Sequence, residues 1–314
     1  MKVLIIGGSR FLGREITLRL VARGDEVTLV NRGRTEAELP EGVERLIADI
    51  DLEGALRAAT EGRSFDAALH MIAMNGRRAE VVIDAIGDRV GQYVQCGSTG
   101  VFMPLRYVPA DEEHPVDPPP DEWGGFNGKA ASDRAARERC AAHGLPLTIL
   151  RPTAIIGPGD ELLDYWGGRD PRLLQRVLDG EPIILPERGE GLVQFGDVRD
   201  LAEAFVLTIG RPERAGEYTI SSRYAITHNY LAELLFDALG ITPSVAHLPA
   251  EEIIARYEET GMVSKRGMRF YAAHMCFTID KARRELGYEP AFTAEQSVPD
   301  TVGWMLDHGL IGRR

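Results

Sequence analysis

The sequence predicts an α/β protein built on a doubly wound parallel sheet, with a smaller, mainly C-terminal cap. Three observations carry this expectation. Short apolar runs alternate with helical stretches through the first half of the 314-residue chain. The first run ends in a glycine-rich turn that opens a helix. After Ile155 the alternation stops at Gly157-Pro158-Gly159, and helical stretches dominate from Thr227 onward.

Val3-Leu4-Ile5-Ile6 is a continuous apolar run bounded by glycine, the pattern of a strand buried on both faces. Phe11, Leu12, Ile16, Leu20 and Val21 then recur at helical spacing, and Gly24 stands where a C-terminal cap belongs. Glu26 to Val30 is the second strand, which closes a βαβ unit of about 30 residues. The alternation continues with strands at Val43 to Ala48, Phe65 to Ile72, Gln92 to Gly97 and Leu147 to Leu150. Helices are expected at Gly54 to Thr60, Arg78 to Gly87 and Lys129 to His143. A long loop holds Pro104, Pro109, Pro115 and the run Pro118-Pro119-Pro120, which disfavours regular structure there. Farther on, helices are expected at Arg172 to Leu178, Leu201 to Ile209, Asn229 to Leu239, Glu251 to Glu259, Lys281 to Leu286 and Ala294 to His308. Strands are expected at Ile183 to Leu185 and at Glu217 to Ile220, the latter returning to the main sheet.

Composition narrows the function classes. Hydrophobic residues make up 44% and charged residues 27%, which suits a chain with a large core. The formal net charge is -12, which repels a phosphate backbone at long range and counts against a general nucleic-acid partner. Three cysteines, Cys96, Cys140 and Cys276, form neither a disulfide framework nor a zinc motif, and the seven histidines show no metal spacing. The opening apolar run is too short for a signal peptide, and no run is long enough to span a bilayer. The expectation is a cytoplasmic protein with no membrane partner and no metal.

Gly7-Gly8-Ser9-Arg10-Phe11-Leu12-Gly13 lies between a strand and a helix, the context that makes a glycine turn specific for a dinucleotide. Gly7 makes the tight turn and Gly13 lets helix and strand approach. The helix N-terminus then offers free N–H groups to a pyrophosphate. The end of the second strand reads the adenosine ribose, by an acid for NAD or by arginine for the 2′-phosphate of NADP. Here Asn31-Arg32-Gly33-Arg34 holds no acid, and Arg10 lies in the turn. The guanidinium fork suits phosphate, so NADP is the expected cofactor, with NAD the alternative. The other reading of Arg32 and Arg34 is that of solvated loop charges. The division expected is a dinucleotide-binding domain, 1–155 plus about 196–224, and a substrate-binding cap, 156–195 plus 225–314.

These residues resemble the short-chain dehydrogenase/reductase superfamily in its extended and atypical branches, which have a Rossmann sheet. Gly7 and Gly13 match the outer members of its glycine triplet, and Arg10 replaces the middle one. That departure resembles an atypical branch that includes chloroplast stem-loop-binding proteins and bacterial epimerase/dehydratase-like proteins. Asp49, Ile50 and Asp51 fall on its adenine-contacting loop, and His70-Met71-Ile72-Ala73 on its fourth-strand motif. Gly97-Ser98-Thr99-Gly100 resembles the strand end with the catalytic hydroxyl, which assigns Ser98. Leu150-Arg151-Pro152, Gly157-Pro158-Gly159 and Phe195 to Asp200 resemble later motifs, and Ile279 to Pro290 resembles the closing segment of the cap.

The family's chemistry uses a tyrosine four residues before a lysine, one turn apart on a helix face. The lysine binds the nicotinamide ribose and lowers the tyrosine pKa, and the tyrosine moves a proton during hydride transfer. The resemblance assigns the lysine to Lys129, whereas Gly125 stands in the tyrosine's place. Lys129 and Ser98 are the catalytic candidates. Their plainer readings are an exposed helix lysine and a hydroxyl that caps a loop. Tyr107, Tyr165, Asp111 and His114 are other proton donors by chain order. Cys96 reads as a core residue, and Tyr165-Trp166 as a pocket wall or as plain packing. Two functions follow. One is an NADP-dependent oxidoreductase or epimerase/dehydratase acting on a small hydroxyl or carbonyl compound, with a sugar nucleotide among the candidates. The other is a nucleotide-binding sensor or scaffold, or an RNA-binding protein. The resemblance implies a monomer or a homodimer.

Overall fold

A computed structural model describes residues 1–34, 39–116 and 124–312. The chain opens with β1 (Lys2–Ile6), α1 (Phe11–Ala22), β2 (Glu26–Asn31), β3 (Glu44–Ile47), α2 (Ala55–Ala59), β4 (Ala67–His70), α3 (Gly76–Ile86) and β5 (Tyr93–Cys96). After a one-turn 3-10 helix at Thr99–Phe102 come α4 (Gly124–His143), β6 (Leu147–Pro152) and β7 (Ala154–Ile156). Next are α5 (Pro171–Leu178), β8 (Ile183–Pro186), β9 (Leu192–Val193), β10 (Phe195–Asp197), α6 (Val198–Thr208), β11 (Gly216–Ile220) and β12 (Ile226–Thr227). The chain ends with α7 (His228–Leu239), β13 (Val245–Leu248), α8 (Ala250–Tyr257), α9 (Lys265–Ala272), α10 (Asp280–Leu286) and α11 (Ala294–Asp307).

Seven strands form one parallel sheet in the order β11-β6-β5-β4-β1-β2-β3. Val3 to Ile6 are fully buried because helices cover both faces of the sheet, as an unbroken apolar run requires. The strand order reverses between β1 and β4, and ligands in such sheets bind at the carboxyl ends beside that reversal. The expected doubly wound sheet is therefore present, and β11 does return to it beside β6.

The later elements share a second core, which also takes in Val101, Phe102 and Ala130. Trp166, Leu173, Leu185, Leu235, Ile253, Tyr271 and Val298 belong to one buried cluster. Two parallel pairs, β10 with β7 and β13 with β8, and the antiparallel pair of β12 with β9 were not foreseen, since each is very short or pairs across long separations. The segment resembling the cap's closure behaves differently from expectation. Ile279, Ala282, Leu286 and Tyr288 belong to the buried cluster of β1, α1 and α6, and α10 lies against α6 and β11, so it rests on the sheet's helical layer. The helix α4 begins at Gly124, a turn and more before Lys129, because glycine lowers helix propensity without forbidding it. The Pro118-Pro119-Pro120 run and Trp123 lie outside the described residues. Among the described residues, no helix is long and apolar enough to cross a membrane, and no group of metal-ligating side chains converges.

Candidate nucleotide site

A cavity of about 510 Å³ opens over the carboxyl ends of β1 to β5. Its floor is the glycine turn. A Cβ on Gly7 would stand 2.8 Å from the Ile72 side chain, one on Gly8 2.6 Å from Ile5, and one on Gly13 2.5 Å from the Gly8 Cα. Gly7 also has φ 87°, a backbone that L side chains rarely adopt. Thr17 donates to the carbonyls of Gly13 and Gly8 at 2.8 and 3.2 Å and pins the turn to α1. No side chain caps the N-terminus of α1 among the described residues. Its first N–H groups, which have no acceptor within the helix, point to where an anion would sit.

The predicted cofactor residues converge on this space. Ser9, Arg10, Phe11 and Leu12 line it with the three glycines, and Asn31, Arg32 and Arg34 line it from the end of β2. Asp49 and Ile50 close the far side after β3. Asn31 accepts from Gly33 N at 2.9 Å and from Arg45 Nε at 3.1 Å through its oxygen, which leaves its amide nitrogen to donate. That buried Nδ2 has no partner among the described residues.

The arginines are not equivalent. The Arg10 side chain is 69% exposed and 3.9 Å from Asp160, a weak pairing that leaves it able to move onto a phosphate. Arg32 and Arg34 are exposed. Arg78, in the first turn of α3, escaped the sequence reading. It also lines the cavity and donates to both oxygens of Asp51 at 2.8 and 2.5 Å. The hydrogen bonds from Arg78 hold the Asp51 carboxyl below its usual range. The clue in the sequence was Arg77-Arg78 behind Asn75, whose side chain accepts from Arg78 N at 2.9 Å and caps the helix. Met71, Ile72 and Met74 after β4, and Ile155 on β7, supply apolar wall that was also missed.

The two catalytic candidates flank the cavity and are not among its lining residues. Lys129 is only 8% exposed, and its ammonium donates to the Cys96 carbonyl at 2.9 Å. Cys96 does line the cavity, so the ammonium is held by a residue of the cavity wall and keeps two further N–H groups to donate. The exposed-lysine alternative is thereby excluded. The Ser98 Oγ accepts from Gly100 N at 3.1 Å and caps the short 3-10 helix, which leaves its own proton to donate. Burial pushes the Cys96 thiol up, against a nucleophilic role.

The other proton donors are engaged elsewhere. Tyr107 donates to Asp111 at 2.7 Å, and His114 accepts from Arg106 N at 2.8 Å through Nε2. Tyr165 donates to the Leu173 carbonyl at 3.0 Å, and Trp166 to the Ile184 carbonyl at 2.9 Å. Both rings sit in the buried cluster shared by the later elements, so the aromatic pair is packing and not a pocket wall. Gly125 lies in the first turn of α4, which contains no phenol anywhere along its length.

Residues 3–222 match the family model described as the NAD dependent epimerase/dehydratase family. Among curated proteins, the chain is 27% identical over 323 residues to the chloroplast stem-loop binding protein of 41 kDa b from Arabidopsis thaliana. That alignment covers 98% of this chain and 79% of the relative. It is 23% identical over 330 residues to the 4-hydroxy-2-methyl-3-oxo-4-farnesyl-3,4-dihydroquinoline-1-oxide ketoreductase of Stigmatella aurantiaca, covering 95% of each. Among solved structures, a UDP-glucose 4-epimerase from Thermotoga maritima superposes with a TM-score of 0.77 at 18% identity, over 97% of this chain and 98% of that one. A dTDP-glucose 4,6-dehydratase from Bacillus anthracis in complex with NAD superposes with a TM-score of 0.76 at 16% identity, over 97% and 96%.

Proposed function

The chain belongs to the NAD dependent epimerase/dehydratase family, and from that premise we propose that it binds NADP(H) and acts as an oxidoreductase or epimerase/dehydratase-like enzyme on a small hydroxyl or carbonyl compound. The observation that carries this reading is the cavity itself. A glycine cradle and uncapped N–H groups meet Asn31 and the exposed cations Arg32 and Arg34 around one cavity. The residues fit the group. The pyrophosphate belongs over the turn from Gly8 to Gly13, with Arg10 beside it. The adenosine belongs between Arg32 and the Asp49–Ile50 wall, where arginine, with no acid at the end of β2, favours a 2′-phosphate. A bound nicotinamide supplies hydride chemistry. Lys129 holds the sugar next to it, and Ser98 donates to the substrate oxygen.

A second reading rests on Gly125. Without a phenol on α4, the usual proton donor is missing, which favours a nucleotide-binding sensor or scaffold. The name of the plant relative adds a stem-loop as a ligand for that reading, against which stands the net charge of -12. The experiment is to incubate the protein with NADPH and a panel of carbonyl compounds and sugar nucleotides, following both NADPH absorbance and products. Turnover of any member supports the enzyme. Tight binding with neither oxidation nor product supports the sensor, and RNA binding that weakens steeply with salt would support the RNA form of it.

A further inference from the structure

We infer that Asp133 is a positioning residue for Lys129, so that a buried ionic clamp on α4 sets where the ammonium meets the nucleotide. The inference rests on the reading of the cavity as a nucleotide site. Lys129 and Asp133 stand one turn apart on the same face of α4. They are 8% and 0% exposed. Two consecutive residues of β5 meet them. The Cys96 carbonyl takes the Lys129 ammonium at 2.9 Å, and Gln95 Nε2 donates to Asp133 Oδ1 at 2.8 Å. Arg151 of β6 donates to the other oxygen, Oδ2, from Nε at 3.1 Å and from Nη2 at 2.8 Å.

The clamp has a second jaw. Arg151 Nη2 also reaches Glu217 Oε2 on β11 at 2.5 Å, and Glu217 accepts Arg137 from α4 through both oxygens at 2.5 and 2.8 Å. Asp133 and Arg137 are again one turn apart. The helix is thus tied to three neighbouring strands at two points. A buried ion pair is weak evidence for net stability, because desolvation offsets much of the attraction, and its best-attested use is to fix register. Register is what Lys129 needs. A slip of α4 by one residue shifts a side chain by about 1.5 Å along the axis and roughly 100° around it. That would carry the ammonium off the Cys96 carbonyl. An apolar face alone tolerates such slips, whereas the two-point guanidinium contact on Asp133 Oδ2 does not.

The test compares NADPH with 2′,5′-ADP, which lacks the nicotinamide ribose, on Asp133→Asn, Gln95→Leu, Lys129→Ala and the Asp133→Asn/Lys129→Ala double variant. If Asp133 acts through Lys129, Asp133→Asn weakens NADPH about tenfold, leaves 2′,5′-ADP within about twofold, and adds nothing to Lys129→Ala. Gln95→Leu shows the same selectivity with a smaller loss, and it serves if Asp133→Asn does not fold. Equal weakening of both ligands, or losses that add in the double variant, would overturn the inference. Amine labelling of the ligand-free protein, read by mass spectrometry, separates this from failure of the nucleotide reading. Asp133→Asn or Gln95→Leu should label Lys129 several-fold faster, and unchanged labelling overturns the clamp even if neither nucleotide binds.

Discussion

A Cβ on Gly13 would stand 2.5 Å from the Gly8 Cα, so the first turn of α1 and the loop after β1 meet backbone to backbone. No side chain fits between them, and the obstacle is main chain, which cannot rotate aside. Gly13→Ala is expected to cost about 1–3 kcal/mol of stability and to weaken nucleotide binding by at least tenfold. Urea unfolding with a parallel nucleotide titration checks both. Unchanged stability and affinity would show that the turn is looser than this contact requires.

Arg32 is exposed at the end of β2, at the cavity rim. Arg32→Ala should weaken NADPH by roughly 10–100-fold, the range of one charge-assisted contact of about 1.5–3 kcal/mol. NADH, without the 2′-phosphate, should change by less than about twofold. Equal losses for the two nucleotides would move the phosphate contact elsewhere.

Trp166 is 2% exposed, and its indole N–H is bound to the Ile184 carbonyl. Removing it should leave a hole in that buried cluster and take a partner from the carbonyl. Trp166→Ala is expected to lose about 3–5 kcal/mol in equilibrium unfolding. Nucleotide affinity at a temperature where the variant is folded should change little, because Trp166 is not among the residues lining the cavity. A selective loss of affinity with normal stability would restore the ring as a site residue.

Acid should destabilise the protein well above the carboxylate range. Burial, with the Lys129 and Arg78 charges, pushes His70 down to about 3, and burial beside His274 pushes His228 down to about 3. Each stays neutral when folded but takes a proton near pH 6.5 when unfolded. The unfolded state therefore binds more protons between pH 6.5 and about 3, and stability falls as pH falls through that window. Glu217 adds a later loss. Burial raises its carboxyl, but Arg137 and Arg151 outweigh this and hold it at about 2, so its contribution fades below pH 4.5. Melting temperatures from pH 8 to 4 should be level above 6.5 and fall below it. His228→Phe should shallow the fall. A level profile down to pH 4.5 would contradict the neutral buried histidines.

What could be read from the sequence was local. The turn from Gly7 to Gly13 showed itself because glycine spacing, the apolar run before it and the helical period after it lie within about 20 consecutive residues. Asn31, Arg32 and Asp49 followed because strand ends in a parallel sheet share one edge. Arg78 was hidden because its place at the cavity depends on β4 pairing with β1, a contact between residues more than sixty positions apart. The burial of Lys129 was hidden likewise, since it depends on Cys96 and on a clamp spanning Gln95, Arg151 and Glu217. The packing of α10 against α6 and β11 reversed a motif-based expectation, because a motif carries sequence order and not the neighbour that buries it.

The most direct test of the central claim is a calorimetric titration of the unsubstituted chain with NADPH and with NADH at one salt concentration. The prediction is one binding site per chain, with NADPH tighter by tenfold or more. NADH binding as tightly as NADPH or tighter, or no binding of either, would contradict it.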